Sequence, residues 1–530
     1  MRRRGGIVIV MLGGALVSGG WLMSRGTNVK GMDRAAREHL FAEVFDHVKR
    51  DYVDTLADST LYRRAINGAL RELHDPHTMF LDARRLSRLD ESTSGHYAGV
   101  GIQMDVRDSG ITVIATLPGT PAEQAGIMTG DRIVAIGGKP TSGFTAEEAL
   151  KVLRGQAGTE VQVAVTRPGM RERLPFTLVR REILVNPVRH AVLVGDGIGY
   201  VDLGIFSAAA ATDLSRAIDS LRAAGAHSLV LDLRGDPGGL LDQGVDVADL
   251  FLDPGQAIVS TRGRSAGETR SFTDHLPQKW SDMPLVVLTD SGSASASEIV
   301  AGALQDHDRA VIIGTATYGK GSAQRVFRVG DDAVKVTTAL WYTPSGRSID
   351  RPRVAPIDAS NDSAVSRPDS GKSRPTFHTD GGRQMVGGGG IVPDIVVPKR
   401  RVTAADRAFQ AALGAKVPRF FDAMVEFALA QKASRAITNE NFEVTARMRD
   451  AFYLRLVARG ILMPRAVFDS ARALVSQALA AQVSRYVFGA RSEFGRALRQ
   501  DSTMIRGVQL LRGVQSQKAL VERIASLRSR

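Results

Sequence analysis

Ser295 and Lys320 are the two residues whose types and surroundings are best suited to catalysis. Ser295 follows an apolar stretch beginning at Pro284 and a turn of small residues, and it stands where a helix is predicted to begin. Lys320 lies 25 residues further on, between two glycines and after a second short apolar stretch. A serine hydroxyl becomes a nucleophile when a base takes its proton, and a neutral lysine amine can serve as that base. The order of the elements therefore allows the hydroxyl and the amine to share one cleft.

The spacing alone leaves ordinary explanations open for both residues. Ser295 could be a simple helix N-cap, and Lys320 an exposed lysine on a turn. Serines also stand at positions 291, 293 and 297, so the pattern does not select one hydroxyl. Gln324, four residues after Lys320, could orient the amine, and the Gly238–Gly239 pair can expose backbone amides towards a developing oxyanion.

The elements that would position these groups predict a multidomain α/β protein. Residues 185–400 alternate apolar strands, Gly-rich turns and helices, which is typical of a layered α/β core. Within this core, residues 351–390 are rich in Ser, Asp, Pro and Gly and are predicted to form a mobile insertion. Helical spacing of apolar residues predicts helical regions at 29–92 and 401–530. The C-terminal stripes would pack within the subunit, or support self-association or binding of an adaptor.

Residues 93–184 have the order of strands and short helices that resembles a PDZ domain. The segment from Ala125 to Ile133 reads Ala-Gly, three residues, then Gly-Asp-x-Ile, and is fairly specific for that family. PDZ domains bind extended peptides, often C-termini, by adding a strand to a sheet edge. The resemblance places the peptide-binding backbone at Tyr97, Ala98, Gly99, Val100, Gly101 and Ile102.

The composition limits the partners and the compartment. The net charge is +13, yet no DNA-binding or RNA-binding motif accompanies it, so we interpret it as a solvated basic surface without a nucleic-acid partner. The cysteine count is zero, which excludes disulfides and a thiol nucleophile. Residues 1–28 contain Arg2–Arg4, an apolar run and Arg25, a pattern that predicts a signal anchor or signal peptide. The remainder would be exported to the periplasmic side of the cytoplasmic membrane, held there by the N-terminal segment.

Several motifs in order resemble the carboxyl-terminal processing proteases, the S41 family of serine peptidases. They are Leu231-Asp-Leu-Arg-x-x-Pro-Gly-Gly239, Ser293-Ala-Ser-Ala-Ser-Glu298, Gly314-x-x-x-Tyr-Gly-Lys-Gly-Ser-Ala-Gln324 and Tyr342-Thr-Pro-Ser-Gly-Arg-Ser-Ile349. This resemblance implies a layered α/β protease core with an inserted PDZ domain and flanking helical regions. It implies Ser295 as nucleophile, Lys320 as base and Gln324 as its partner. The oxyanion hole would be formed by the amide of Ala296 with that of Gly238 or Gly239.

The resemblance implies an exported serine endopeptidase that cleaves proteins near their C-termini or degrades unfolded or tagged proteins. The PDZ domain would bind substrate C-termini and gate the site. No metal or other cofactor is needed. The chain departs from the family where an asparagine usually precedes Pro-Gly-Gly, because Asp236 stands there. Two alternatives remain open: a non-catalytic PDZ-bearing peptide-binding protein, and an α/β enzyme acting on a small molecule.

Overall fold

The computed structural model describes residues 33–107, 110–167, 170, 172–351, 374–398 and 401–528. The predicted signal anchor lies outside these residues, as does most of the predicted insertion. The chain divides into two compact units, of which the first ends at Phe80. In the first unit, the rings of Phe45 and Tyr62 pack 4.2 Å apart between centroids. Its elements are the helices Arg34–Asp51 and Asp58–Arg71, followed by the start of a short strand, Met79–Leu81.

The second unit begins with the helix Ala83–Ser94 and continues into a β-rich domain. A sheet of six strands closes around alternating apolar side chains such as Ile111, Val113, Val163 and Val165, which are almost completely buried. The sheet consists of the strands Ile102–Arg107, Gly110–Thr116, Arg132–Ile136, Lys139–Pro140, Glu160–Thr166 and Arg173–Val179. The helices are Pro121–Gln124 and Ala146–Leu153, and the strands His96–Gly99 and Arg181–Leu184 pair as a separate ribbon.

A six-stranded sheet forms the α/β core. Its strands stand in the order Val188–Leu193, Ile198–Leu203, Ser228–Asp232, Leu285–Thr289, Val311–Gly314 and Ile395–Val396. The first pair is antiparallel and the others are parallel. The helices Ala210–Ala223, Leu241–Asp249 and Ala296–Asp306 connect them and cover one face. Parallel strands expose their carboxyl ends at one edge, where the turns before Gly239 and Ser295 meet.

A second sheet flanks this core. It contains the strands Ala257–Gly263, Arg270–Thr273, Ser322–Val329 and Asp332–Tyr342, with a 3-10 turn at Ala266–Glu268. Lys320 lies just before the third of these strands. The part of 351–390 that the structure describes includes a small hairpin, Thr376–His378 with Gln384–Val386.

The C-terminal region forms two different packing units. Its first part builds a core of its own around Phe420, Phe427, Phe452 and Phe468. Its last part instead covers the second face of the core sheet, because Met504, Leu510, Leu511 and Leu520 cluster with Val230, Val286 and Leu288. The helical segments are Ala404–Leu413, Gly414–Lys416, Val417–Ser434, Ala446–Ala458, Arg465–Ser470, Arg472–Val483, Ser484–Phe488, Ala490–Gln500, Ser502–Leu511 and Gln517–Arg528.

Candidate active site

Ser295 sits in a strained turn between a buried strand and a helix. The strand Leu285–Thr289 is buried throughout, and the helix begins at Ala296. Ser295 has φ +55° and ψ −113°, a backbone conformation that non-glycine residues rarely adopt. Strain of this kind persists only where the surrounding structure imposes it, and it is common at functional sites. The half-buried side chain of Ser295 therefore occupies a position typical of an activated serine.

The neighbouring serines have other roles. The Ser293 hydroxyl donates to the Leu233 carbonyl oxygen at 2.7 Å, and the Ser297 hydroxyl donates to the Asp236 carbonyl oxygen at 3.0 Å. Both side chains are completely buried. Ser291 is exposed on the preceding turn. Ser293 and Ser297 thus hold the start of the helix against the 233–239 turn. Their hydroxyls have this structural role and are not candidates for the nucleophile.

One buried carboxylate, Glu298, connects Ser295 to Lys320. Its Oε2 accepts hydrogen bonds from the backbone N–H of Ser295 at 2.8 Å and from that of Lys320 at 2.9 Å. The two backbone nitrogens must therefore lie closer together than the sum of those distances. Its Oε1 accepts from the Gly319 N–H at 2.6 Å and the Thr317 hydroxyl at 2.5 Å. Sequence reasoning missed this role, although a glutamate three residues after a serine at a helix start is the capping-box pattern.

The ionisation of Glu298 reflects two opposing influences. The side chain is completely buried, and this burial raises the pKa of its carboxyl above the usual range. The hydrogen bonds from Thr317, Lys320, Gly319 and Ser295 oppose that rise because they stabilise the charged form. Its oxygens are thus occupied in holding the two backbone segments together.

The backbone around Lys320 is fixed on its other side by Trp341. The indole Nε1 donates to the Lys320 carbonyl oxygen at 3.1 Å, and Trp341 is 1% exposed. Gln324 lies on the strand that leaves this turn. Its amide nitrogen donates to the hydroxyls of Ser322 at 3.0 Å and Thr337 at 3.3 Å. The structure thus places Gln324 in the strand that follows Lys320, with its amide directed at Ser322 and Thr337.

The Gly238–Gly239 turn packs against Ser295. A Cβ atom added to Gly238 would lie 2.8 Å from the Ser295 Cβ and 2.5 Å from the Ala294 carbonyl oxygen. The Gly238 N–H donates to the Asp236 carboxylate at 2.8 Å. Within the residues that the structure describes, the N–H groups of Gly239 and Ala296 have no hydrogen-bond acceptor. Of the three amides predicted for the oxyanion hole, these two remain available beside Ser295.

The six residues predicted to bind peptide fall into two groups. Tyr97, Ala98 and Gly99 pair with Ile183, Glu182 and Arg181 in the two-stranded ribbon. The Val100 and Gly101 carbonyls accept hydrogen bonds from the backbone of Ala122 and Leu117, and Ile102 begins the first strand of the larger sheet. Gly101 has φ +79°, and a Cβ atom there would lie 2.3 Å from the Thr120 side chain. Residues 100–102 therefore form a tight loop that runs into the edge strand of the larger sheet.

Among the described residues, no group of three or more His, Asp or Glu side chains is arranged to hold a metal ion. In the same part of the chain, no helix is both long and apolar enough to cross a membrane.

Two family models and several known proteins resemble parts of this chain. The model of peptidase family S41 matches residues 197–358, and that of the PDZ domain matches residues 87–166. The carboxy-terminal-processing protease of Bartonella bacilliformis is 43% identical over 314 residues, which are 58% of this chain and 71% of that protein. The processing protease CtpA of Bacillus subtilis is 33% identical over 315 residues, 59% of this chain and 67% of that one. A solved photosystem II D1 C-terminal processing protease is 31% identical, with a TM-score of 0.35 over 60% of this chain and 92% of that one.

A layered α/β core with a strained serine and an inserted PDZ domain defines a class of serine peptidases. The chain belongs to peptidase family S41, the family of the carboxy-terminal processing proteases. The predicted family and fold class are thereby confirmed.

Proposed function

We propose that this protein is an exported endopeptidase that uses a Ser295–Lys320 dyad to cleave polypeptides near their C-termini, or to degrade unfolded or tagged proteins. The observation that carries this proposal is the pair of hydrogen bonds from the backbones of Ser295 and Lys320 to one Glu298 oxygen. Two segments far apart in the chain meet there, one with a strained serine and the other with a lysine.

The reaction would follow from these positions. Neutral Lys320 takes the hydroxyl proton as the Ser295 oxygen attacks a peptide carbonyl carbon. The N–H groups of Ala296 and Gly239 stabilise the resulting oxyanion. The C–N bond then breaks, Lys320 returns the proton to the departing amine, and an acyl-enzyme ester remains. Lys320 next removes a proton from water, whose oxygen attacks the ester carbon; the ester C–O bond breaks, and Lys320 returns the proton to the Ser295 oxygen. Gln324 supports the strand that follows Lys320.

The PDZ domain would hold the C-terminus of the substrate and gate access to this site. Its loop at residues 100–102 precedes a sheet edge, which suits strand addition by an extended peptide. The basic and apolar N-terminal pattern in residues 1–28 supports export and an anchor in the cytoplasmic membrane, with the protease on the periplasmic side. The C-terminal helices would serve self-association or an adaptor.

Substitution of the dyad tests the proposal. We expect Ser295→Ala and Lys320→Ala each to lower kcat/KM at least roughly a thousandfold, because nucleophile and base act as one unit. Mass spectrometry of products from an unfolded, C-terminally tailed protein would measure the loss. Ser291→Ala is the matched control, since this serine is exposed on the same turn. Cleavage persisting at the wild-type rate in either dyad variant would refute the mechanism and favour a non-catalytic peptide-binding role or another nucleophile.

A further inference from the structure

Asp236 is a completely buried acidic residue in the turn that contacts Ser295. The inference drawn from it rests on the proposed function, because it concerns the oxyanion formed by attack of Ser295. Its carboxylate Oδ1 accepts the Gly238 N–H at 2.8 Å, and its backbone carbonyl accepts the Ala294 N–H at 3.0 Å. Asp236 therefore holds both the glycine turn and the residue before Ser295.

The second carboxylate oxygen of Asp236 has no compensating contact. Oδ2 is buried and has no hydrogen-bond partner among the described residues. A buried carboxylate with an empty oxygen is costly when charged, since nothing replaces the water it has lost. A proton on Oδ2 would remove that cost and leave Oδ1 free to continue accepting the Gly238 N–H.

The charged groups around Asp236 do little to stabilise its anion. From the edge strand, Arg189 lowers the pKa of Asp236, but its guanidinium is paired with Asp202 at 2.6 Å, and Asp202 acts in the opposite direction. From the following turn and helix, Asp290 binds the Gly235 and Gly292 amides, and Glu298 binds those of Ser295 and Lys320. Burial dominates and raises the pKa of Asp236 to about 7, against the lowering effects of the Gly238 N–H and the Ser297 hydroxyl.

We propose that Asp236 is a positioning residue whose proton sets the strength of the oxyanion site, so that the neutral carboxyl supports catalysis and the ionised carboxylate opposes it. The oxyanion would develop beside the Gly238–Gly239 turn, within a few ångströms of the Asp236 side chain. Two negative charges at that separation in a water-poor site repel strongly. When Asp236 is neutral this repulsion disappears while the turn keeps its hydrogen bond.

The test compares wild type with Asp236→Asn, which keeps an acceptor for the Gly238 N–H and cannot ionise. The kcat/KM ratio of Asp236→Asn to wild type should be flat at acidic pH and rise roughly tenfold to hundredfold as the pH passes through about 7. Asp236→Ser offers an uncharged acceptor in a smaller side chain, and should give the same rise if the asparagine variant does not fold.

Asp274 provides the matched control. It is 1% exposed, its Oδ1 accepts the N–H of Leu276 at 2.7 Å in the same kind of turn, and burial raises its pKa to about 6. Its backbone contacts are with Gly255 and Gln256, not with the Ser295 turn. Asp274→Asn should therefore give a ratio that does not change with pH.

Two results would count against the inference in different ways. A pH-independent ratio for Asp236→Asn and Asp236→Ser, with Ser295→Ala inactive, would overturn the role of Asp236 and leave the dyad intact. Full activity of Ser295→Ala would overturn the dyad, and the inference with it.

Discussion

Two glycines in one turn, Gly235 and Gly238, show how closely the backbone approaches Ser295. Both have positive φ, at +65° and +88°. A Cβ atom on Gly235 would meet nothing within 4 Å, whereas one on Gly238 would lie within 3 Å of Ala294, Ser295 and Ala296 atoms. A substituted residue would have a strained left-handed backbone at either position. Only at Gly238 would its side chain also collide with the serine turn.

This difference predicts separate effects of alanine at the two positions. Gly238→Ala should lower kcat roughly a hundredfold or more, because the methyl group must displace the serine turn or the oxyanion amides. Gly235→Ala should lower stability by about 1 kcal/mol through φ strain alone and retain most of the activity. Steady-state kinetics and urea denaturation on both variants separate the two effects. Equal losses of kcat would contradict the close approach at Gly238.

At this scale the sequence predicted residue types better than contacts. Ser295 could be predicted because its surroundings are local patterns: an apolar strand, a turn of small residues and a helix start. The hydrogen bond from Lys320 to Glu298 spans 22 residues, and that from Ser297 to Asp236 spans 61. No local pattern encodes such pairings, and for this reason the sequence does not predict the contact of Glu298 with Lys320 or that of Asp236 with Ser297.

At the scale of elements, Arg234 links the catalytic edge of the sheet to the C-terminal helices. Its guanidinium binds Asp232 at 2.6 Å and Asp501 at 2.6 Å. Asp501 also caps the helix Ser502–Leu511 by accepting the N–H groups of Thr503 and Met504. Arg234, which begins the turn towards Gly239, is thus bound by a residue 267 positions further along the chain.

Removal of this link should be measurable as a loss of stability. Asp501→Ala should lower the free energy of unfolding by roughly 2 to 4 kcal/mol, because it removes a helix cap and leaves a partly buried arginine with one fewer partner. Asp501→Asn retains a capping oxygen and should cost less. Arg512→Ala, which breaks the exposed Arg512–Asp196 pair, should cost less than about 1 kcal/mol. Denaturant titration would measure the free energy of unfolding of each variant. Equal losses for Asp501→Ala and Arg512→Ala would refute the role of Asp501 as a stabilising link.

The helices themselves were predictable from apolar spacing, but their division between two cores was not. An amphipathic stripe shows that a helix has a buried face without naming the surface it covers. Only the fold shows that Phe452 packs among helices while Leu511 packs on the sheet.

At the scale of the whole molecule, the proposed mechanism requires the PDZ domain and the protease core to act on one substrate. A peptide held by its C-terminal carboxylate near residues 100–102 would present its upstream residues to the core. The tight backbone at Gly101 leaves no room for a side chain against Thr120. A change in that loop should therefore weaken substrate binding and, through KM, lower cleavage at low substrate concentration.

We expect substrates with a free C-terminal carboxylate to have a KM roughly tenfold lower than otherwise identical carboxamides. Gly101→Ala should remove this preference by distorting the loop, with kcat on saturating substrate little changed. Gly119→Ala is the control, since it has a similar φ of +74° and open space around it. A preference that survives Gly101→Ala would place carboxylate recognition elsewhere.

The covering of the core sheet by residues 498–524 also affects the timing of biosynthesis. Val230, Val286 and Leu288 emerge from the ribosome long before Leu511 and Leu520, the side chains that later shield them. Until then the apolar face of the sheet is exposed to solvent, which promotes aggregation or binding by chaperones. A nascent chain can therefore complete its proteolytic core only after Leu511 and Leu520 have left the ribosome, which delays the onset of peptide cleavage until these helices have been synthesised.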